Sequence, residues 1–197
     1  MAEARVSVRT IDSAYHRLLD ADTRPIPASY RRDSPIEPGP TRVPVERYTS
    51  KEFFDVEVEK IWKRVWQVAC HEDDLPDVGD YVPYDIAGLS FLVVRVSPTE
   101  IKAYWNACLH RGRKLREQPG KCATELRCPF HAWAFRPDGF CVDIPYAKAF
   151  PPVCKREPVA GPYPVTEANG VIWGWYHPAG EAPSFEVLTV PEFTEPG

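Results

Sequence analysis

The chain has 197 residues, 44% hydrophobic and 26% charged, with a net charge of −4. That balance fits one soluble globular domain with a sizeable core plus appendages, and the acidic excess argues against a nucleic-acid surface. The opening MAEARVSVRTID has no signal-peptide stretch and no apolar run approaches membrane-spanning length; a cytoplasmic protein without membrane contact is expected, in which six cysteines stay mostly reduced and Cys–His pairs suggest a metal before a disulfide.

In chain order, Ile11, Tyr15, Leu18 and Leu19 keep helical spacing in a short amphipathic segment. Residues 23–44 hold six of the 22 prolines and are expected to form an extended arm with no regular element. Residues 49–67 are expected to be a helix: Thr49 and Glu52 have capping-box spacing, and Phe54, Val58, Ile61, Trp62 and Val65 form an apolar stripe for core packing. From residue 80 the period becomes two. YVPYDI, SFLVVRV (90–96) and EIKAYWNA (100–107) are strand-like, separated by Ala87–Gly88 and by Ser97–Pro98–Thr99. Strand-like ATELR (123–127), a hairpin of AWAF and FCVDI about Pro137–Asp138–Gly139, and a last strand in GVIWGWY (170–176) follow. No glycine fingerprint for a dinucleotide or phosphate occurs. The fold class expected is mainly β: an antiparallel β-sheet domain over 49–178, preceded by a helix and proline-rich arm (1–48) and followed by a linker (179–197).

Two motifs carry chemistry. EIKAYWNA runs into Cys108-Leu-His110, and ATELR runs into Cys128-Pro-Phe-His131. Residues two apart on an extended strand point the same way, so Cys108 and His110 can reach forward together; Pro129 presets the turn that CPFH requires. A Cys₂His₂ set suits zinc or a [2Fe–2S] cluster with histidines on one iron. Zinc fingers usually group two cysteines and two histidines. Here each loop supplies one of each, which lets the cysteines take one iron and the histidines the other.

The spacing C-x-H-x₁₇-C-x₂-H, with NACLHRG and CPFHAWAFRPDG around it, resembles the Rieske [2Fe–2S] domain of Rieske non-haem iron oxygenase α subunits, the ring-hydroxylating family, from about residue 45 to 178. The resemblance implies a Rieske-type antiparallel β domain and a [2Fe–2S] cofactor held by Cys108, His110, Cys128 and His131. Ala132 departs from the glycine usual in the family after the second histidine. The extra loop cysteines of respiratory Rieske proteins are missing from 111–113 and 132–134, which places this chain with the lower-potential oxygenase and ferredoxin branch.

Other residues have plainer readings. Arg111, Arg113, Lys114 and Arg116 could steer an acidic ferredoxin or reductase, but a solvated basic turn is preferred. Trp133 is read as hairpin packing before a shield for the cluster. Cys70, Cys122, Cys141 and Cys154 are read as ordinary buried thiols, and His71 as part of a solvated loop. The family's second iron, held by two histidines and a carboxylate, has no counterpart: only His16, His71 and His177 are left, and no D-x₂-H-x₄-H occurs. That mononuclear Fe(II) is therefore expected on a missing domain or a partner chain. The expected function is one-electron transfer to that iron, with a reductase or ferredoxin as donor, an oxygenase catalytic domain or subunit as acceptor, and an oligomer in the full enzyme. A stand-alone Rieske ferredoxin and a zinc-stabilised interaction module are the alternatives.

Overall fold

The computed structural model describes residues 13–31, 43–150 and 161–193. The chain forms two compact units, Met1–Thr49 and Ser50–Gly197. The first contains helix α1 (Ser13–Ala21), a 3₁₀ turn (Ala28–Arg31) and the single-turn helix α2 (Glu46–Thr49). Tyr15 donates its hydroxyl to the Tyr30 carbonyl at 3.2 Å and Arg31 pairs with Asp20 at 2.8 Å, tying the 3₁₀ turn to α1. The proline-rich stretch thus contains one short regular turn where none was expected. Ile11, the rest of the arm over 32–42, and Cys154 lie outside the described residues.

The second unit opens with α3 (Lys51–Glu57) and a π turn (Val58–Trp62). Its cap is Ser50, not Thr49. Ser50 has extended backbone (φ −79°, ψ 125°), and its hydroxyl accepts the Phe53 N–H at 3.1 Å. Thr49 is already helical in α2 and donates its hydroxyl to the Val45 carbonyl at 3.3 Å. A capping oxygen must sit on a non-helical residue to face the orphan N–H groups, so Thr49 is disqualified. The helix also ends five residues short of expectation, because Trp66–His71 is strand β1, paired from Trp66↔Trp175 to His71↔Val171. Of the expected core stripe only Val58 is buried; Phe54 and Ile61 are 47% exposed and Trp62 36%.

Three antiparallel three-stranded sheets follow. Sheet one orders β1, β9 (Val171–Trp175) and β8 (Val165–Ala168); sheet two orders β2 (Tyr81–Ile86), β3 (Leu89–Ser97) and β4 (Glu100–Trp105); sheet three orders β5 (Leu126–Arg127), β6 (Ala134–Phe135) and β7 (Cys141–Asp143). The β2–β3 turn at Ala87–Gly88 and the β8–β9 turn at Asn169–Gly170 have positive φ at both central residues (48° and 80°; 57° and 73°), the signature of two-residue hairpins. Sheet two is the middle layer. Leu92, Val94 and Tyr104 pack with Leu126, Phe135 and Cys141 of sheet three, while Val93 and Ala103 pack with Cys70 and Ile172 of sheet one. Period-two alternation along β3 divides its side chains between the two cores. The segment 181–190, read from sequence as part of a linker, is hydrogen-bonded to sheet one: the indoles of Trp66 and Trp175 donate to the carbonyls of Phe185 and Glu181 at 2.8 and 2.9 Å, and Asn169 bonds Leu188 and Val190.

A buried carboxylate anchors the loop between β4 and β5. Asp80 accepts the N–H groups of Cys122 (2.7 Å) and Asp77 (3.1 Å) and the Lys121 ammonium (3.3 Å), with no exposed side-chain surface. Burial works against its charge, but those hydrogen bonds and the ammonium outweigh it and hold the pKa below the ordinary 3.8. A depressed carboxylate contributes stability that is fully present above the unfolded value and is lost as pH falls through the folded one. Asp80→Ala should therefore cost about 3 kcal/mol at neutral pH. Urea titrations of parent and variant should show the gap closing on acidification below 3.8.

Candidate metal centre

Two loops at the ends of β4 and β5 have the same backbone closure. In the first, the Cys108 N–H donates to the Arg113 carbonyl at 2.8 Å and the Gly112 N–H returns to the Cys108 carbonyl at 2.8 Å. In the second, the Cys128 N–H donates to the Trp133 carbonyl at 2.7 Å and the Ala132 N–H returns to the Cys128 carbonyl at 3.1 Å. Each cysteine thus heads a six-residue loop whose fifth residue must turn left-handed: φ is 70° at Gly112 and 58° at Ala132. Glycine enters that region freely, and alanine does so at a steric cost. The alanine noted in the sequence therefore strains the backbone.

The closures bring the four candidate ligands together as two pairs. Cys108 and Cys128 are free thiols, 4% and 3% exposed, within hydrogen-bonding reach of each other. Burial, reinforced by Cys128, pushes the Cys108 thiol up to about 11, although backbone N–H groups of His110 and Arg111 oppose the shift. Two such sulfurs ionise readily only against a cation. The rings of His110 and His131 lie 4.6 Å apart at 67°. Burial, followed by the charges of His131 and Arg111, keeps the His110 pKa below 6.5 and the imidazole neutral. Its Nδ1 is buried with no hydrogen-bond partner among the described residues, which leaves that nitrogen available to bind a metal through its lone pair. A cavity bordered by Trp133, Pro145 and Phe150 opens beside the imidazole pair.

Among the described residues, no three His, Cys, Asp or Glu side chains converge on a point that would hold one ion. A tetrahedral zinc site needs four donors about one centre, whereas a bridged di-iron cluster takes two at each end. A sulfur pair and an imidazole pair meet the second requirement, so the residues present fit a [2Fe–2S] cluster.

The remaining sequence candidates take other roles. Arg113 pairs with Glu117 and Lys114 with Asp85, each at 2.6 Å. Arg116 bonds the Tyr81 hydroxyl at 3.0 Å and the Arg127 carbonyl at 2.8 Å, tying the two loops together; Arg111 is exposed. Cys70 and Cys141 are buried as expected, but Cys122 is exposed: its backbone is left-handed and its N–H is committed to Asp80. His71 is exposed and accepts the Asp73 N–H at 3.2 Å, capping a short turn. His177 is buried, with Nε2 2.8 Å from the Arg64 guanidinium.

Sequence reasoning missed Asn106. It is buried and fully bonded at the root of the first loop. Its amide nitrogen donates to the Arg116 carbonyl (2.7 Å) and the Ser90 hydroxyl (3.1 Å), and its oxygen accepts the N–H groups of Leu115 and Arg116 at 3.1 Å. A polar amide interrupting an apolar strand two residues before Cys108 was the available signal. Asn106→Ala should cost about 3 kcal/mol, since two N–H groups lose their acceptor, and should lower iron retention, read by chemical denaturation and iron assay. Ala132→Gly should move the other way, gaining about 1 kcal/mol from relief of the left-handed strain, as a higher urea midpoint would report.

Comparison with known proteins gives the same picture. The family model described as the Rieske [2Fe–2S] domain matches residues 65–160. The carnitine monooxygenase oxygenase subunit of Escherichia coli (strain K12) is 36% identical over 97 residues, covering 49% of this chain and 26% of that protein. The anthranilate 1,2-dioxygenase large subunit of Acinetobacter baylyi is 36% identical over 106 residues, 54% of this chain and 22% of that protein. Among solved structures, a quaternary ammonium Rieske monooxygenase in complex with L-carnitine superposes with a TM-score of 0.62 at 27% identity, over 71% of this chain and 40% of that one. Naphthalene 1,2-dioxygenase from Rhodococcus sp. gives 0.60 at 31% identity, over 71% and 32%. The chain spans about a quarter of the curated relatives it matches. Residues 65–160 thus carry a Rieske [2Fe–2S] domain, similar to those of Rieske oxygenase α subunits.

Proposed function

We propose that Cys108 and Cys128 hold one iron and His110 and His131 the other, and that the chain is a one-electron relay in a ring-hydroxylating oxygenase system. The observation that carries this is the meeting of a buried sulfur pair and an imidazole pair at the tips of two equivalently closed loops. When bound, the cluster supplies one-electron chemistry, and neutral imidazoles in place of two thiolates raise its potential by removing negative charge.

The residues around it divide the work. The cysteines lie inside, where burial excludes water from the sulfur end. His131 is exposed, with the ring of Phe130 beside it at 3.9 Å, so the imidazole end is where a redox partner can approach. Its outer nitrogen can donate to a partner's carboxylate and fix the contact. The donor is a reductase or ferredoxin, and the acceptor is a mononuclear non-haem iron on another domain or subunit of an oligomeric enzyme. Similarity to carnitine monooxygenase and anthranilate dioxygenase components supports this assignment. The domain is assigned to 49–178, with 1–48 and 179–197 as flanking segments. No helix among the described residues is long and apolar enough to cross a membrane, in keeping with action in the cytoplasm.

Cys108→Ala and His131→Ala should each remove the bound iron, the acid-labile sulfide and the EPR signal of the reduced state, whereas Cys70→Ala, at a residue buried in the other core with Val93 and Ile172, should keep all three. Full iron and sulfide in either ligand variant would refute the assignment.

A further inference from the structure

The histidine torsion about Cβ–Cγ is soft and broadly two-fold, so covalent geometry does not decide which ring atom of His110 faces inward. A hydrogen bond to the ring nitrogen that does not bind metal is one device for fixing the ring, and the buried Nδ1 itself has no partner among the described residues. Packing against the ring faces is the other device, and the structure shows it. The indole of Trp133 lies parallel to the His110 imidazole, 5.0 Å between centroids at an interplanar angle of 4°. Phe150 meets both rings edge-on, 5.5 Å from His110 at 87° and 5.0 Å from Trp133 at 88°. Trp133 cannot readily move: it is 3% exposed, and its carbonyl accepts the Cys128 N–H that closes the second loop.

One residue thus belongs to both loops, by its main chain to the second and by its side chain to the first. We infer that Trp133 is a positioning residue that clamps the His110 ring in the plane where Nδ1 faces the cluster, with Phe150 as a supporting wall. The inference rests on the ligand assignment proposed above. It goes further than packing: rotating the imidazole out of plane would drive it into the indole face, so the clamp opposes the first motion of ligand release.

The test uses the 197-residue chain with its cluster assembled, comparing Trp133→Leu, Trp133→Phe and a control, Phe135→Leu, from the same core. Iron release to a chelator, the reduced-state EPR spectrum and the urea midpoint are measured for each. Trp133→Leu should speed iron release about tenfold or more and broaden the EPR lines as ring orientations spread. Trp133→Phe, which keeps a flat ring, should stay near the parent. Phe135→Leu should lower the midpoint without changing release or line shape. Parent-like release and lines in Trp133→Leu would overturn the clamp, as would Phe135→Leu reproducing both changes. Should Trp133→Leu fail to fold, Phe150→Leu decides: a smaller change in the same direction supports the clamp, and no change refutes it. A parent chain without iron and labile sulfide would refute the ligand assignment itself, whereas an iron-loaded parent with an unaffected Trp133→Leu variant would refute the clamp alone.

Discussion

Two main-chain hydrogen bonds per loop, an N–H given out by a cysteine and another received at its carbonyl, are the constraint on which the centre depends. Because the same closure occurs twice, at Cys108 and at Cys128, two short segments far apart in sequence present their side chains in register. Packing of sheet two against sheet three sets the spacing between them, and the buried amide of Asn106 fixes the root of the first loop. The paired closures bring sulfur beside sulfur and imidazole beside imidazole.

The chemistry was more legible in the sequence than the packing. Cys108, His110, Cys128 and His131 stand out by spacing as candidate ligands because metal ligation demands particular atoms in a particular order, and the fold brings them together as two pairs. Strands β2, β3 and β4 were legible for a similar reason, since alternation and turn residues are local signals. Helix α3 was overextended to residue 67 because Val65 continues the stripe of Val58, Ile61 and Trp62 at helical spacing. What decides is the ladder with β9, more than a hundred residues away. Strand β8 escaped notice although Asn169–Gly170 is a strong hairpin signal, because VTEA is short and only partly buried.

The misreadings at single residues share a cause. Thr49 and Ser50 both have capping hydroxyls, and only the backbone angle separates them. Cys122 is exposed because its N–H is needed by Asp80, 42 positions earlier. The strain at Ala132 requires knowing that the fifth loop residue is left-handed, a fact written more clearly at Gly112 than at its counterpart. In each case the deciding partner is tertiary, and composition carries no trace of it.

Strand β3 lies at the seam of two cores, with Leu92 and Val94 on one side and Val93 on the other. A slip of one residue would exchange these sets and misfit both layers at once. The strand therefore works as a keel: the amides of its middle residues should be the last to exchange with solvent, opening only when the whole unit does. The imidazole-bearing tips, His110 five residues beyond β4 and His131 four beyond β5, can then yield locally without loosening the frame.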